Sequence, residues 1–219
     1  MSAAAEPARP STMAGASSIS GVRRLAKRAL DLSLAMFLLA LLAPLLLMLA
    51  LLVKLQDGGP ALYRRRVVGP KGRFDAFKLR TMRVDADELL ARDPVLCRQF
   101  EINFKLKDDP RVTPLGVILR RLSLDELPQL WNVLLGEMSL VGPRMITAAE
   151  LERYGEAAWI FRSVKPGLTG YWQIEGRQDV SYARRVELDL YYVESWSLAL
   201  DFKILLKTPW RALRGSGAY

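Results

Sequence analysis

The feature that most constrains the fold is an uncharged, apolar run from Leu32 to Val53. As a helix rising 1.5 Å per residue it would be roughly 33 Å long, enough to cross a hydrocarbon core of about 30 Å. The run is longer than the core of a signal peptide, and no small-residue cleavage site follows it. The sequence therefore predicts a retained membrane helix. Residues 1–22, rich in Ala, Ser and Pro, predict a disordered tail.

Both flanks of this run are basic, and a proline lies near its middle. The flanking cations are Arg23, Arg24, Lys27 and Arg28 before the run and Lys54, Arg64, Arg65, Arg66 and Lys71 after it. Cytoplasmic segments favour Lys and Arg, so this pattern is best met if both ends face the cytoplasm. Pro44 removes a backbone hydrogen bond and bends a helix. The residues alone leave two topologies open: a helix that breaks at Pro44 and returns, or a kinked helix that spans once.

Composition narrows the chemistry. A chain of 219 residues can form one well-packed domain with small appendages. Its net charge of +9 suits phosphate-rich partners. A single cysteine, Cys97, excludes an internal disulfide. The chain has no His, so any catalysis must use Asp, Glu, Lys, Arg or an oxygen-bound metal.

The rest of the chain predicts a fold that is mostly α with a small β element. Residues 61–83, with turn residues near Gly69 and Gly72, predict a β-hairpin. Apolar periodicity predicts helices over 84–100, 114–122, 127–135 and 146–164, a loop over 165–178, and one or two amphipathic helices over 179–213. Aromatic and basic residues in this last segment suit a membrane interface and ordinary core packing about equally.

The densest polar segment runs from Arg120 to Asn132 and contains the adjacent carboxylates Asp125 and Glu126. One interpretation is structural, because Ser123 followed by Glu126 spells a capping box. The local pattern alone favours that interpretation. The same place also suits phosphate chemistry, because helix N-terminal amides and guanidinium groups attract phosphate.

A carboxylate at this position has useful reactivity. With an ordinary pKa of about 3.9, Asp125 is ionised at neutral pH and can attack phosphorus without a separate base. Mg²⁺ prefers one or two carboxylates together with phosphate oxygens and water, which Asp125 and Glu126 can provide. These two residues are therefore the candidate catalytic and metal-binding pair.

Two further segments are candidates for ligand binding. Gly142-Pro143 makes a rigid turn that would present Arg144 in a fixed direction. The segment 165–177 contains three glycines, which let a ligand approach the backbone closely, and Tyr171 or Trp172 could stack on a base. The alternative is a connecting loop with its aromatic residues in the core.

At these motifs the chain resembles the bacterial sugar transferase family, the monotopic polyprenyl-phosphate phosphoglycosyl transferases. The resemblance extends from about residue 27 to residue 208. It is closest to short members that start exopolysaccharide repeat units with a hexose 1-phosphate. The motifs are KRALD (27–31), FKLRTM (77–82), SLDELPQLWNVLLGEMSLVGPR (123–144), KPGLTGYWQIEGR (165–177) and ELDLYYVESWSLALDFKILLKT (187–208).

The resemblance implies a reaction. Asp125 and Glu126 coincide with the catalytic dyad of the family, with Mg²⁺ at Asp125 and Glu126 tuning or sharing the site. Asp125 would attack the sugar-proximal phosphate of a UDP-sugar, release UMP and pass the phosphosugar to undecaprenyl phosphate. Galactose and glucose are the leading sugars.

The resemblance also implies binding residues. Arg120 and Arg144 fall on phosphate-binding positions, and we expect further substrate contacts from motif residues, namely Lys78, Arg80, Gln173 and Arg177. The chain departs from the family pattern twice, with Ala43 where Ser often precedes the proline and Met145 where Pro usually follows Gly-Pro-Arg.

The implied architecture is monotopic. Residues 23–57 would form a re-entrant helix broken at Pro44, and residues 58–219 a catalytic domain packed on amphipathic interfacial helices. This domain would lie on the cytoplasmic face of the bacterial inner membrane, and the family admits a homodimer. A membrane-anchored, non-enzymatic basic scaffold is the alternative. We expect no nucleic-acid partner, because the chain lacks a recognisable nucleic-acid motif despite its pI of 9.9.

Overall fold

The computed structural model describes residues 21–103, 106, 109–175 and 181–213. In this part of the chain the fold is mostly helical, with two small two-stranded sheets. The predicted class, mostly α with a small β element, is therefore confirmed. The predicted disordered tail falls almost entirely on residues 1–20, which lie outside the described residues.

The apolar run lies within helix α1 (Gly21–Asp57), which begins before the run and continues beyond it. The helix passes through Pro44 without ending there. Its length and composition are sufficient to cross a membrane. Many of its large apolar side chains are exposed, including Phe37, Leu41 and Leu47. Such a surface is unusual against water and is ordinary against lipid.

The predicted β-hairpin is confirmed. Strand β1 (Leu62–Gly69) pairs antiparallel with strand β2 (Gly72–Leu79), in a register that places Leu62 opposite Leu79. Pro70 and Lys71 form the turn, and Gly72 has a φ of +108°, which favours glycine. Strand β2 leads from this turn to Lys78.

Nine helices follow the hairpin in the described residues. They are α2 (Ala86–Arg92), α3 (Pro94–Asn103), α4 (Pro114–Arg121), α5 (Gln129–Leu135), α6 (Ala148–Leu151), α7 (Ile160–Ser163), α8 (Tyr171–Glu175), α9 (Tyr182–Glu194) and α10 (Leu198–Leu213). The helix predicted over 84–100 is divided at Asp93, whose carboxylate accepts hydrogen bonds from the backbone amides of Val95 and Leu96. The segment 146–164 is helical as predicted, but Glu152–Trp159 is 3-10 rather than α.

The segment 165–178 is more regular than the predicted loop. It contains strand β4 (Gly167–Thr169) and helix α8, and β4 pairs parallel with strand β3 (Ser139–Val141). The two backbones cross so closely that a Cβ built on Gly167 would lie 2.1 Å from the amide nitrogen of Gly142. The Gly-Pro-Arg and Lys-Pro-Gly segments are therefore parts of one local structure.

Helix α1 contacts the rest of the protein at both of its ends. Near its start, the Asp31 carboxylate accepts a hydrogen bond from the Leu140 amide (3.0 Å), and Lys27 donates to Asp201 (2.7 Å). At its end, Asp57 forms an ion pair with Arg80, with Nη1 at 2.6 Å from Oδ2. The main core lies between α1, the hairpin, α5 and β3.

Candidate active site

Asp125 and Glu126 lie on a short 3-10 turn, Leu124–Glu126, between α4 and α5. Both are buried, with 6% and 9% of their surface exposed. The predicted capping box is wrong. Ser123 adopts a left-handed conformation with a φ of +56°, and its side chain makes no capping hydrogen bond. This backbone, sparsely populated for a non-glycine residue, turns the chain so that the two carboxylates point inward.

Both oxygens of the Glu126 carboxylate accept hydrogen bonds from cationic side chains. Its Oε1 accepts a hydrogen bond from Lys78 Nζ (2.7 Å) and another from Arg144 Nη2, while its Oε2 accepts from Arg144 Nη1 (2.9 Å). Burial by itself would raise the pKa of Glu126, but Arg144 and Lys78 hold this pKa well below its ordinary value. Glu126 is therefore a fixed negative charge that positions two cations.

The Asp125 carboxylate is different. The Lys78 ammonium lies 3.8 Å from its Oδ2, and no hydrogen bond from the described residues reaches either oxygen. Burial raises the pKa of Asp125 to about 6, with Lys78 opposing this shift and the negative charge of Glu126 adding to it. An ionised carboxylate without hydrogen bonds is available to a ligand.

Arg120 completes the group of cations. It lies in the last turn of α4, donates from Nε to the Thr81 hydroxyl (2.9 Å), and is close enough to Asp125 to lower the pKa of that carboxyl. Burial in turn lowers the pKa of Arg120. Three cations, Lys78, Arg120 and Arg144, thus surround two carboxylates. The excess positive charge suits a bound phosphate.

Sequence reasoning missed Asn132, which holds this site together. Asn132 is fully buried and donates from Nδ2 to the Asp75 carbonyl (2.8 Å) and to Glu137 (2.7 Å). Its Oδ1 accepts from the Phe77 amide (3.0 Å). Asn132 therefore fixes the strand of Lys78 against the helix that follows Asp125. The signal available in the sequence was a polar residue, Asn132, among the mostly apolar residues of α5.

Gln129, at the start of α5, was also missed. Only 1% of its surface is exposed, and neither its Nε2 nor its Oε1 has a hydrogen-bond partner among the described residues. Buried amides without partners are rare in native proteins. Gln129 therefore places an unsatisfied donor and an unsatisfied acceptor at the start of the helix that follows Asp125.

The remaining predicted substrate contacts are placed differently. Arg80 donates to Asp57 and to the carbonyls of Pro60, Met82 and Val53, which uses its whole guanidinium group. The expectation that Arg80 binds substrate stays a prediction, and a phosphate contact would require Arg80 to give up one of these hydrogen bonds. In the structure, Arg80 fixes the end of α1 to β2.

Gln173 and Arg177 belong to the third motif. Gln173 lies beside Gly170, and Gly170 in turn lies against the Gly142 carbonyl, two residues before Arg144. The buried Oε1 of Gln173 has no hydrogen-bond partner among the described residues. Arg177 lies outside the described residues. Met145, a departure from the family pattern, is 2% exposed and packs in the main core.

The chemistry of the donor set fits a magnesium ion in a restricted way. In the part of the chain that the structure describes, no three Asp, Glu, Cys or His side chains lie close enough together to hold a metal ion. Mg²⁺ needs only one or two carboxylates when substrate phosphates and water supply the other ligands. Asp125 can provide one carboxylate, and the Glu126 oxygens accept three hydrogen bonds from Lys78 and Arg144.

Comparison with known proteins identifies the class to which this site belongs. A model of the bacterial sugar transferase family matches residues 22–215. The chain therefore belongs to the bacterial sugar transferase family, which confirms the resemblance stated above.

Several relatives are closely similar. The chain is 48% identical over 201 residues to the UDP-galactose-lipid carrier transferase of Erwinia amylovora, covering 90% of this chain and 42% of that protein. It is 46% identical over 201 residues to the undecaprenyl-phosphate galactose phosphotransferase of Salmonella typhimurium, covering 90% and 42%. It is 46% identical over 200 residues to the exopolysaccharide production protein ExoY of Sinorhizobium fredii, covering 89% and 88%. The chain thus spans less than half of the first two relatives and most of ExoY.

Proposed function

We propose that the protein transfers a hexose 1-phosphate from a UDP-sugar to undecaprenyl phosphate and releases UMP, as the first membrane step of exopolysaccharide or other glycoconjugate assembly. The observation that supports this most strongly is the contrast between the two buried carboxylates. Glu126 is hydrogen-bonded to Lys78 and Arg144, whereas the Asp125 carboxylate accepts no hydrogen bond from the described residues. One group is held as a support, and the other is free to react.

The proposed cycle has two displacements at one phosphorus atom. An Asp125 carboxylate oxygen attacks the sugar-proximal phosphorus, the bond from that phosphorus to the bridging oxygen breaks, and UMP leaves with the electron pair. The product is an acyl phosphate that holds the sugar. A phosphate oxygen of undecaprenyl phosphate then attacks the same phosphorus, and the Asp125 carboxylate leaves unchanged.

The cations have defined roles in this cycle. Arg120 and Arg144 bind phosphate oxygens and reduce the repulsion between the diphosphate and Asp125. Lys78 lowers the pKa of Asp125 and so keeps more of it ionised at neutral pH. Asp125, together with substrate phosphates, would hold Mg²⁺, which would supply further positive charge when bound. Glu126 contributes by fixing Lys78 and Arg144.

We also propose that α1 is re-entrant. Its two ends contact the same domain, through Lys27 and Asp31 at the start and Asp57 at the end. A straight helix of this length would extend more than about 50 Å, with its ends on opposite sides of a bilayer. A bend at Pro44 would keep both ends on one face, and basic flanks favour the cytoplasmic face of the inner membrane.

The domain also has a surface suited to the membrane interface. Helix α10 buries Asp201 and Ile204, while Phe202, Leu206 and Trp210 are exposed at a spacing of four residues. Such a spacing places the three apolar side chains on one face of the helix. We propose that this face lies on the headgroup region of the membrane.

Galactose is the first sugar to test, because the names of the Erwinia and Salmonella relatives both include galactose. Glucose is the second. The decisive experiment incubates the purified protein with each UDP-sugar, Mg²⁺ and undecaprenyl phosphate, and measures UMP. Omission of undecaprenyl phosphate should still give one UMP per protein and a protein mass increased by a hexose phosphate.

Asp125→Asn is the critical variant and should release no UMP and gain no mass. Asp93→Asn is a matched control, since this aspartate caps α3 in an exposed position. The proposal fails if wild-type protein releases no UMP with any UDP-sugar, or if Asp125→Asn releases it at the wild-type rate. A non-enzymatic scaffold would give the first result. Native mass spectrometry would test the predicted homodimer.

A further inference from the structure

Three cations meet at the end of α5 opposite the candidate active site. We define the basic cluster as Arg28, Lys71 and Lys165. Arg28 donates from Nη1 to the Val133 carbonyl (2.7 Å) and from Nη2 to the Leu134 carbonyl (3.0 Å), at the C-terminal end of α5. Helix C-termini attract cations, so this contact explains why Arg28 is here. It does not explain the other two.

The geometry around Gly136 shows how close these cations are. A Cβ built on Gly136 would lie 3.4 Å from Arg28 Nη2 and 3.7 Å from Lys165 Nζ. The two positive groups are therefore close neighbours across one glycine, which has a φ of +80°. Lys71, on the hairpin turn, is near enough to Lys165 to act on its pKa.

Lys165 has no compensating partner. It is half-buried, and no hydrogen bond or ion pair to its ammonium occurs among the described residues. Burial lowers the pKa of Lys165, and the charges of Arg28, Lys71 and Lys27 lower it further, while Asp31 opposes them. A partly desolvated ammonium among like charges is costly unless an anion binds.

The neighbouring carboxylates compensate only part of this charge. Asp31 Oδ1 already accepts hydrogen bonds from the Leu140 amide and the Ser139 hydroxyl. Glu137 Oε2 accepts from Asn132. Asp201 is paired with Lys27. The three cations of the basic cluster therefore exceed the two neighbouring carboxylates without an ion pair among the described residues, Asp31 and Glu137, by one positive charge.

The position of the cluster suggests the source of the anion. Arg28 precedes the start of the uncharged run, Leu32, by one helical turn. Trp131 and Leu135, on the outer face of α5, are 53% and 56% exposed. Cations next to exposed aromatic and apolar side chains are typical of the membrane interface, where lipid phosphates lie.

We propose that the basic cluster binds the phosphate of an anionic phospholipid headgroup and so fixes the domain on the membrane. This site is separate from the candidate active site. Lys71 and Lys78 lie at opposite ends of β2, and α5 separates Gly136 from Asp125. The inference does not depend on the proposed reaction, and it is tested without measuring UMP.

The test uses full-length protein in nanodiscs of phosphatidylcholine with a small fraction of phosphatidylglycerol, followed by native mass spectrometry of the lipid that remains bound. We expect wild-type protein to retain one phosphatidylglycerol. Lys71→Gln with Lys165→Gln should reduce this retention about 30-fold, given roughly 1 kcal/mol for each cation near a membrane surface. Lys71→Gln alone, on an exposed turn, should reduce it about fivefold.

Lys54→Gln is the matched control. Lys54 is exposed at the other end of α1. Its replacement with Gln therefore removes the same charge at a membrane interface outside the basic cluster. Equal losses in Lys54→Gln and the cluster variants would overturn the proposal, because a general surface field would then account for the binding. A bound inorganic phosphate, with no phosphatidylglycerol retained, would also overturn the lipid assignment.

Discussion

Asp125 and Glu126 are adjacent in the chain and almost equally buried, yet their surroundings shift their pKa values in opposite directions. Glu126 accepts three hydrogen bonds from two cations, which stabilise its charged form more than burial destabilises it. Asp125 has the same cations nearby at longer range, and burial dominates. The difference arises because the Lys78 ammonium is 2.7 Å from Glu126 but 3.8 Å from Asp125.

The first prediction concerns the pH dependence of Asp125. Because its pKa is about 6, a proton competes with substrate and metal below that pH. Single-turnover UMP release should fall about tenfold for each pH unit below the midpoint and level off above it. Magnesium, when bound, should move the midpoint lower, so the profile is measured at several magnesium concentrations. Lys78→Met should move the midpoint higher, since Lys78 lowers this pKa. A rate independent of pH down to pH 4 would contradict this assignment.

The second prediction concerns Gln129. Replacing it with Met keeps the volume and removes two buried polar atoms that have no partners in the described residues. Unpaired buried groups cost about 1–3 kcal/mol, so Gln129→Met should raise the free energy of unfolding by about 1 kcal/mol or more. Chemical denaturation measures this change. Leu130→Met, a substitution in the adjacent fully buried position, is the control and should not stabilise the protein. A destabilised Gln129→Met would show that the amide is already satisfied.

At the scale of secondary structure, α1 is the element whose arrangement has the largest consequence. Its ends are fixed to the domain by side chains from different regions, Asp201 and Leu140 at one end and Arg80 at the other. Pro44 is exposed in the middle of the helix and lacks the amide hydrogen needed for a regular hydrogen bond. Leu38 before Pro44 is packed against the main core, and Leu49 after it belongs to a second core cluster with Leu79 and Leu119.

The third prediction follows from this arrangement. In a Cys97→Ser background, single cysteines at Gly21 and Gln56 should both be protected from an impermeant maleimide in intact spheroplasts and both react after lysis. Pro44→Ala restores a backbone hydrogen bond and straightens the helix, so some Gly21→Cys protein should then react from outside. Pro209→Ala, which changes a proline inside α10, is the control and should leave the labelling unchanged. Labelling of the two ends of wild-type α1 from opposite faces would rule out re-entry.

Elements with a strong periodic signal were predictable. The hairpin was indicated by turn residues at Gly69 and Gly72, and α4, α9 and α10 by amphipathic spacing. The sheet of β3 and β4 was not, because a strand of three residues has no measurable period and its partner lies far along the chain. The capping box was mispredicted because Ser123 takes a left-handed backbone that no local pattern requires.

The candidate site was predictable only in part, for a similar reason. The motifs identified Asp125, Glu126, Arg120, Arg144 and Lys78, and the structure brings these five together. It could not be read from the sequence that Glu126 is occupied by Lys78 and Arg144, or that Arg80 is bound to Asp57. Such pairings depend on contacts between segments distant in sequence. The same holds for Asn132, whose partners are on β2.

At the scale of the whole molecule, one buried carboxylate connects helix α1 to helix α10. Asp201 is 1% exposed and accepts hydrogen bonds from Lys27 (2.7 Å), Tyr192 (2.8 Å) and Trp196 (3.2 Å). Lys27 also donates to the Val141 carbonyl, next to the turn that presents Arg144. Hydrogen bonds around Asp201 thus join α1, α9, α10 and β3.

The fourth prediction tests these hydrogen bonds. Asp201→Ala leaves Lys27 without a counter-charge in a mostly buried place, so the free energy of unfolding should fall by about 3 kcal/mol. Thermal or chemical unfolding of the protein in nanodiscs measures the change. Glu175→Ala removes the partner of Lys207 from an ion pair that is more exposed than the pair of Lys27 with Asp201. This variant should lower the free energy of unfolding by less than about 1 kcal/mol. Similar losses for the two variants would mean that Asp201 does not join these elements.

The close pairing of β3 and β4 limits how this member of the bacterial sugar transferase family can be altered. Gly142, Gly167 and Gly170 lie where any side chain would collide with backbone atoms of the other segment. Mutant libraries should therefore leave these three positions untouched, along with the lengths of the segments that contain them. A fusion or reporter peptide belongs in α3, where an insertion would not separate the two paired strands. This close approach thus separates positions open to redesign from those that are not.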